Sequence, residues 1–214
     1  MKTQLSNSIL TVSLMSLWCG ACGTAEELST PVALQAHAPM IAERNLHSSL
    51  STGKPHCVAT IAPAGENGTA PSAASPTEPK LAACFETIAE AVSFATEGRV
   101  QLPAGIRPEE ITPDQLSTAS APYVIGIEYT NRDFGGFSLT LPSDVNCTTN
   151  YFYVNILDFW WNDAISSAKA FSGCNHSYHY EHPNFGGAMV DCGSECSYIG
   201  DAMNNRTSSI RWTQ

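Results

Sequence analysis

The sequence predicts a mainly β protein: two Greek-key motifs forming one sandwich, preceded by a small α+β N-terminal segment. Three observations carry this. From Tyr123 onward the chain breaks into short runs rich in β-branched and aromatic residues, separated by Gly, Pro, Asn and Asp, the texture of antiparallel strands joined by turns. That half also repeats itself. Upstream, only Cys84 to Thr96 shows a helical period, with Phe85, Ile88, Ala89, Val92 and Ala95 on one face and Gly98 placed to end it.

The chain begins with the pattern of an export signal over residues 1–25. Lys2 supplies a positive start, and Ile9 to Trp18 is an apolar run too short to span a bilayer. Cleavage after Ala25 would release a secreted protein. Processing before Cys22 in Cys19-Gly20-Ala21-Cys22 would leave a lipoprotein, anchored at the cell surface and touching the membrane only through that lipid. Residues 26–56 lack sustained periodicity and are expected to be a flexible tether.

Residues 57–121 form the expected α+β extension. Cys57 to Ile61 reads as a short strand, and Ala62 to Lys80, with four prolines and two glycines, as a loop or linker. After the helix, Arg99 to Pro103 reads as a strand stopped by proline, and Thr112-Pro113-Asp114 as the start of a helical turn. So short a segment has a marginal core of its own, and it is expected to pack on the main domain.

Within 122–214, strands are expected at Tyr123–Tyr129, Phe137–Leu141, Tyr151–Val154, Ser166–Phe171, His176–Tyr180, Ala188–Cys192 and Ser208–Trp212, with a short one near Tyr198. The repeat has two parts. Tyr129-Thr130-Asn131-Arg132-Asp133-Phe134-Gly135-Gly136 parallels Tyr180-Glu181-His182-Pro183-Asn184-Phe185-Gly186-Gly187. Each is an aromatic followed five residues later by Phe and seven later by Gly. Downstream, Asn162-Asp163-Ala164-Ile165-Ser166-Ser167 parallels Asn204-Asn205-Arg206-Thr207-Ser208-Ser209, both fitting (Asn/Asp)-(Asn/Asp)-x-x-Ser-Ser. Tandem similarity of this length means one supersecondary unit used twice. Short oxygen-bearing side chains in such density suit a hard cation, because Ca²⁺ takes carboxylate, amide, hydroxyl and carbonyl oxygens together.

Two hairpins and two hexads alternating in this order resemble the βγ-crystallin superfamily over about Tyr123 to Gln214. The text around Tyr180 to Gly187 looks most like microbial secreted members, including the Streptomyces-type metalloproteinase inhibitors. The resemblance implies two Greek keys in one domain with paired Ca²⁺ sites at one end, each borrowing a backbone carbonyl from the other key. Carried over by position, the ligands are the side chains of Asp163, Asn205, Ser166 and Ser208 and the carbonyls of Ala164, Arg206, Thr130 and Glu181. Asn162 and Asn204 shape the loops. Because Asp163 carries charge whereas Asn205 is neutral and sits beside Arg206, the site centred on the second hexad is expected to be the weaker. Calcium is expected to act mainly on stability.

Ten Lys and Arg against 20 Asp and Glu give a net charge of −10, which discounts nucleic acid as a partner. With Cys19 and Cys22 in the signal or anchor, six cysteines remain for three disulfides in an oxidising compartment. Cys57 with Cys84 is expected because they flank one segment. Cys147, Cys174, Cys192 and Cys196 allow three pairings. A zinc site at Cys192 and Cys196, or at His176 and His182, is the lesser reading, as is a carbohydrate platform at Trp160 and Trp161, which are expected in the core. Asp133, Asp158, Asp191 and Glu195 include no pair fixed at a catalytic separation. Four Asn-x-Ser/Thr matches, at Asn67, Asn146, Asn175 and Asn205, carry meaning only in a eukaryotic host. The function implied is a monomeric, non-enzymatic, calcium-binding βγ-crystallin-type protein. The alternative is an inhibitor of a secreted metalloprotease.

Overall fold

The computed structural model describes residues 53–66, 78–155, 157–158 and 160–214. The expected export signal, the tether up to residue 52 and residues 67–77 of the expected linker lie outside the described residues. Among those described, no helix is long and apolar enough to cross a membrane.

The N-terminal segment supplies β1 (His56–Thr60), β2 (Pro63–Glu66), β3 (Lys80–Phe85), α1 (Ile88–Ala95) and the one-turn α2 (Pro113–Leu116). The first Greek key is β4 (Tyr123–Tyr129), β5 (Ser138–Ser143), β6 (Asn150–Val154) and β7 (Ser167–Ala170). The second is β8 (His176–His182), β9 (Gly186–Asp191), β10 (Glu195–Cys196) and β11 (Ser209–Thr213). Each expected strand of this half is present within a few residues, and β4 matches at both ends.

The strands form two sheets, ordered β10-β7-β4-β5-β1-β3 and β2-β6-β11-β8-β9. Each key gives its third strand away: β6 lies beside β11 in the second key's sheet, and β10 beside β7 in the first's. Neither key can therefore close its sheet alone. Ile125, Leu139 and Leu141 from one sheet meet Phe152, Val154, Ile210 and Trp212 from the other in the main core. Trp161 is buried in that core and Trp160 packs against it, as expected of tryptophans in a small β domain. At the centre Gly126 lets the sheets approach: a Cβ built there would lie 2.7 Å from Trp212 Nε1.

The segment ahead of the keys extends both sheets. β1 runs parallel to β5 and antiparallel to β3, and β2 pairs with the edge of β6. Cys57 and Cys84 are direct cross-strand partners and form a disulfide. α1 covers the outer face of the first sheet, where Ile88, Ala91 and Val92 pack with Val58, Val124, Ile127 and Tyr129. That sheet is thus buried on both faces, and every residue of β5 is buried although the strand alternates polar Ser138 and Thr140 with Leu139 and Leu141. Lys169 on β7 anchors the segment further along: it is 3 % exposed, and its Nζ donates to the carbonyls of Ile111 at 2.9 Å and Glu109 at 3.2 Å.

Three local expectations are corrected. The helix starts at Ile88 rather than Cys84, because Thr87 caps it: the Glu90 N–H donates to Thr87 Oγ1 at 3.2 Å, and the Thr87 N–H donates to Glu90 Oε2 at 3.1 Å. Arg99 to Pro103 forms no strand, since the helix end consumes its donors. The Arg99 N–H bonds the Thr96 carbonyl at 3.0 Å and the Val100 N–H bonds Thr96 Oγ1 at 3.1 Å. The expected linker contains β2, whose first residue, Pro63, sits where a sheet edge needs no donor.

The remaining cysteines pair locally, Cys147 with Cys174 and Cys192 with Cys196. The second pair replaces the zinc reading. His176 and His179 do face opposite ways on β8: His176 is exposed beside Asp191, and His179 is fully buried.

Candidate metal centre

The two hairpins fold alike. The Tyr129 and Phe134 rings meet edge-on with centroids 5.6 Å apart, and Tyr180 and Phe185 do so at 5.5 Å. The turn residue before each Phe is left-handed, Asp133 at φ 57° and Asn184 at φ 56°, a conformation that Asp and Asn tolerate better than most residues. Gly136 and Gly187 follow at φ 76° and 77°, where glycine has no Cβ to clash.

The last serine of each hexad locks its own hairpin, a role the sequence reading missed. Ser167 Oγ donates to the Asn131 carbonyl at 2.6 Å and accepts from the Phe134 N–H at 3.0 Å. Ser209 Oγ does the same with the His182 carbonyl at 2.7 Å and the Phe185 N–H at 3.0 Å. The preceding serine is set by the hairpin tyrosine: the Ser166 N–H bonds the Tyr129 carbonyl and the Ser208 N–H the Tyr180 carbonyl, both at 2.8 Å. Adjacent serines on a strand start point opposite ways, so one binds the turn and the other is turned toward the hexad loops. Two exchanged strands, two aromatic corners and two hexads now stand in pseudo-twofold relation.

The C-terminal domain has the βγ-crystallin fold.

Solved structures similar to this chain are βγ-crystallin domains. One from Flavobacterium johnsoniae is 26 % identical, with 41 % of this chain and 92 % of that one covered and a TM-score of 0.31. One from an archaeon is 29 % identical over 42 % and 96 %, with a TM-score of 0.31. A double mutant of a domain from Clostridium beijerinckii is 24 % identical over 42 % and 98 %, with a TM-score of 0.32. No protein-family model matches the chain, and no curated protein matches it.

In this domain the hexads are joined reciprocally. The Asp163 N–H donates to the Thr207 carbonyl, and the Asn205 N–H to the Ile165 carbonyl, each at 3.0 Å. Both residues are left-handed, at φ 58° and 57°. Each second hexad residue is thereby handed to the other hexad. Ser166 Oγ lies 2.8 Å from the Thr130 carbonyl and 3.2 Å from Asn205 Oδ1. These three oxygens define a first site, two of them from the first key and the amide from the second.

The second site is its counterpart. Asp163, Glu181, His182, Asn205, Arg206 and Ser208 line a cavity of about 250 Å³. Asn162 Nδ2 donates to Asp163 Oδ2 at 2.9 Å, steadying the carboxylate as expected of a loop-shaping residue. A larger hollow of about 1400 Å³ lies beside α1, lined by residues such as Thr60, Lys80, Phe85 and Phe94. Its lining is apolar and of mixed charge, whereas the smaller one is lined by the hexad residues Asp163, Asn205 and Ser208.

One expectation changes. The side chain that crosses between keys is that of Asn205, whose Oδ1 reaches Ser166 Oγ, whereas the Thr130 carbonyl stays with Ser166 of its own key. Asp163 lines the cavity with Glu181 and Ser208, and Asn205 lines it too. Ala164 follows Asp163 in the loop and is absent from the second cavity's lining.

The sequence reading gave Arg206 a part through its charge and left out the side chain of Glu181. Arg206 Nη2 pairs with Glu181 Oε1, and Glu181 Oε2 accepts the Ala188 N–H at 3.0 Å. That backbone bond, with Arg206 and His182 nearby, holds the Glu181 carboxyl below the usual glutamate value.

The donors fit a hard cation. Among the described residues no three His, Cys, Asp or Glu side chains gather as a metal cluster, so the sites are built from hydroxyl, amide and carbonyl oxygen with at most a carboxylate or two. At the first site one hydroxyl hydrogen on Ser166 faces two acceptor oxygens. It can satisfy one of them fully, and a cation would satisfy all three at once.

Proposed function

We propose that the domain is a non-enzymatic calcium-binding module with two crossed and unequal sites, in which the ion acts mainly by stabilising the fold. The observation that carries this is the convergence of the Thr130 carbonyl, Ser166 Oγ and Asn205 Oδ1 within hydrogen-bond reach. Ligands at each site come from both keys, so an ion that binds them tethers one key to the other and favours the folded state over the unfolded chain.

Asp163, Ser208 and the Glu181 and Arg206 carbonyls would hold one ion. Asn205, Ser166 and the Thr130 and Ala164 carbonyls would hold the other. Extracellular modules of this sort bind Ca²⁺ with dissociation constants of roughly 10⁻⁴ to 10⁻³ M. An ion at about a hundred times its dissociation constant adds about 2.7 kcal/mol per site. The disulfides and the expected export signal suit an oxidising extracellular medium, where millimolar calcium would fill such sites to about half or more.

Isothermal titration of chelator-stripped protein with CaCl₂ tests the reading, together with thermal melts with and without the ion. Two binding steps and a rise in melting temperature of several degrees are expected. A flat titration with an unchanged melt would sink the proposal.

A further inference from the structure

We infer that Arg206 is an internal counter-cation of the second site, which sets that site's calcium affinity by neutralising Glu181. The inference rests on the calcium reading above and adds to it the residue that tunes one site.

The two keys provide their own comparison. At the hairpin, Thr130 and Glu181 occupy matching positions and do the same local job: Thr130 Oγ1 accepts the Phe137 N–H at 2.9 Å, and Glu181 Oε2 accepts the Ala188 N–H at 3.0 Å. A threonine has one side-chain oxygen, and it is neutral. Glutamate has a second oxygen and a charge left over, beside the cavity that Asp163 and Ser208 line. In the hexads the matching positions are Ala164 and Arg206. Only the key with the surplus carboxylate carries the guanidinium, and the two are paired.

Among the described residues Arg206 has little other structural duty. Its side chain is 52 % exposed, and its other contact is from Nη1 to the Ala202 carbonyl at 3.1 Å, within its own loop. The second site thus holds two carboxylates and one guanidinium, a net −1 where it would otherwise be −2. Calcium affinity follows the charge of the ligand set, so the arginine lowers the attraction of this site for a divalent ion. The first site, with no formal charge, has no such control.

The test is calcium titration of the chelator-stripped protein, wild type against Arg206→Ala and Arg206→Lys, at low and high NaCl. Arg206→Ala is expected to tighten one binding step about tenfold at low salt, with the gain shrinking as salt screens the site. Arg206→Lys, which keeps the charge, is expected to stay within about twofold of wild type. Adding Asp163→Asn to Arg206→Ala should remove the gain, which places it at the second site.

If wild type shows only the first step and Arg206→Ala gains the other, the inference also holds. If wild type binds at both sites and Arg206→Ala binds no more tightly, the counter-cation role is overturned while the calcium reading stands. If neither protein binds calcium, both fall.

Discussion

Glu128 Oε2 on β4 and His179 Nε2 on β8 lie 2.9 Å apart with both side chains fully buried, a polar link across the two sheets. Among the described residues Glu128 Oε1 and His179 Nδ1 have no hydrogen-bond partner, so each residue depends on the other. Removing one partner of a buried pair leaves an uncompensated polar group, whereas replacing both by apolar residues is often neutral. Glu128→Leu and His179→Leu should each destabilise by about 3–5 kcal/mol, and the double variant by much less. Urea denaturation of the two single variants and the double checks this. Additive losses would show that the pair is not coupled.

Gly126 is held to its size by Trp212. A methyl group there would stand 2.7 Å from Nε1 of an indole with 0 % exposure, and neither sheet can move without disturbing the core. Gly126→Ala should cost about 1–3 kcal/mol through overpacking, read as a lower midpoint in thermal or urea melts with the fold retained.

Under the proposed assignment, the crossing of the hexads separates the two calcium steps. Asp163→Asn should weaken the site of Ser208 about tenfold, and Asn205→Asp should strengthen the site of Ser166 by as much, each about 1.4 kcal/mol. Calorimetry on both variants reads the two steps. If Asp163→Asn weakened the Ser166 site instead, each hexad would be serving itself and the crossed assignment would be wrong.

His56 couples the docking of β1 to pH. Its Nδ1 is bonded to Ser138 Oγ on β5 at 2.8 Å, and burial holds the imidazole below the ordinary histidine value of 6.5, with Glu90 opposing the shift. A depressed value means that the folded state favours the neutral ring. Stability from this residue is present above pH 6.5 and is lost as pH falls through the folded-state value. Melts of wild type and His56→Gln over that range should converge at acid pH and separate at neutral pH.

How far the sequence could be read depended on how local each feature was. The hairpin and hexad text located both keys, because a tyrosine corner and a left-handed Asn or Asp are properties of eight consecutive residues. The disulfide of Cys57 and Cys84 was legible for the same reason, as the pair closes one short segment. β2 and β3 were not, since an edge strand with Pro63 and Gly65 and a strand running straight into a helix cap look like loop and helix until β6 and β1 pair with them. Glu128 and His179 gave no signal, because neither residue type is expected in a core and each is explained only by the other.

The order of strands, the repeated corners and the identity of the oxygen donors were thus determined by the chain itself, since each follows from local backbone preference and side-chain chemistry. Which donors act together was decided by tertiary structure. Two backbone hydrogen bonds, Asp163 to Thr207 and Asn205 to Ile165, bring the second residue of each hexad against the other hexad, and Asp163 comes to line a cavity with Glu181 and Ser208. Linear spacing along one hexad cannot encode a swap between two loops about forty residues apart, because the swap exists only once the keys have traded strands and packed face to face.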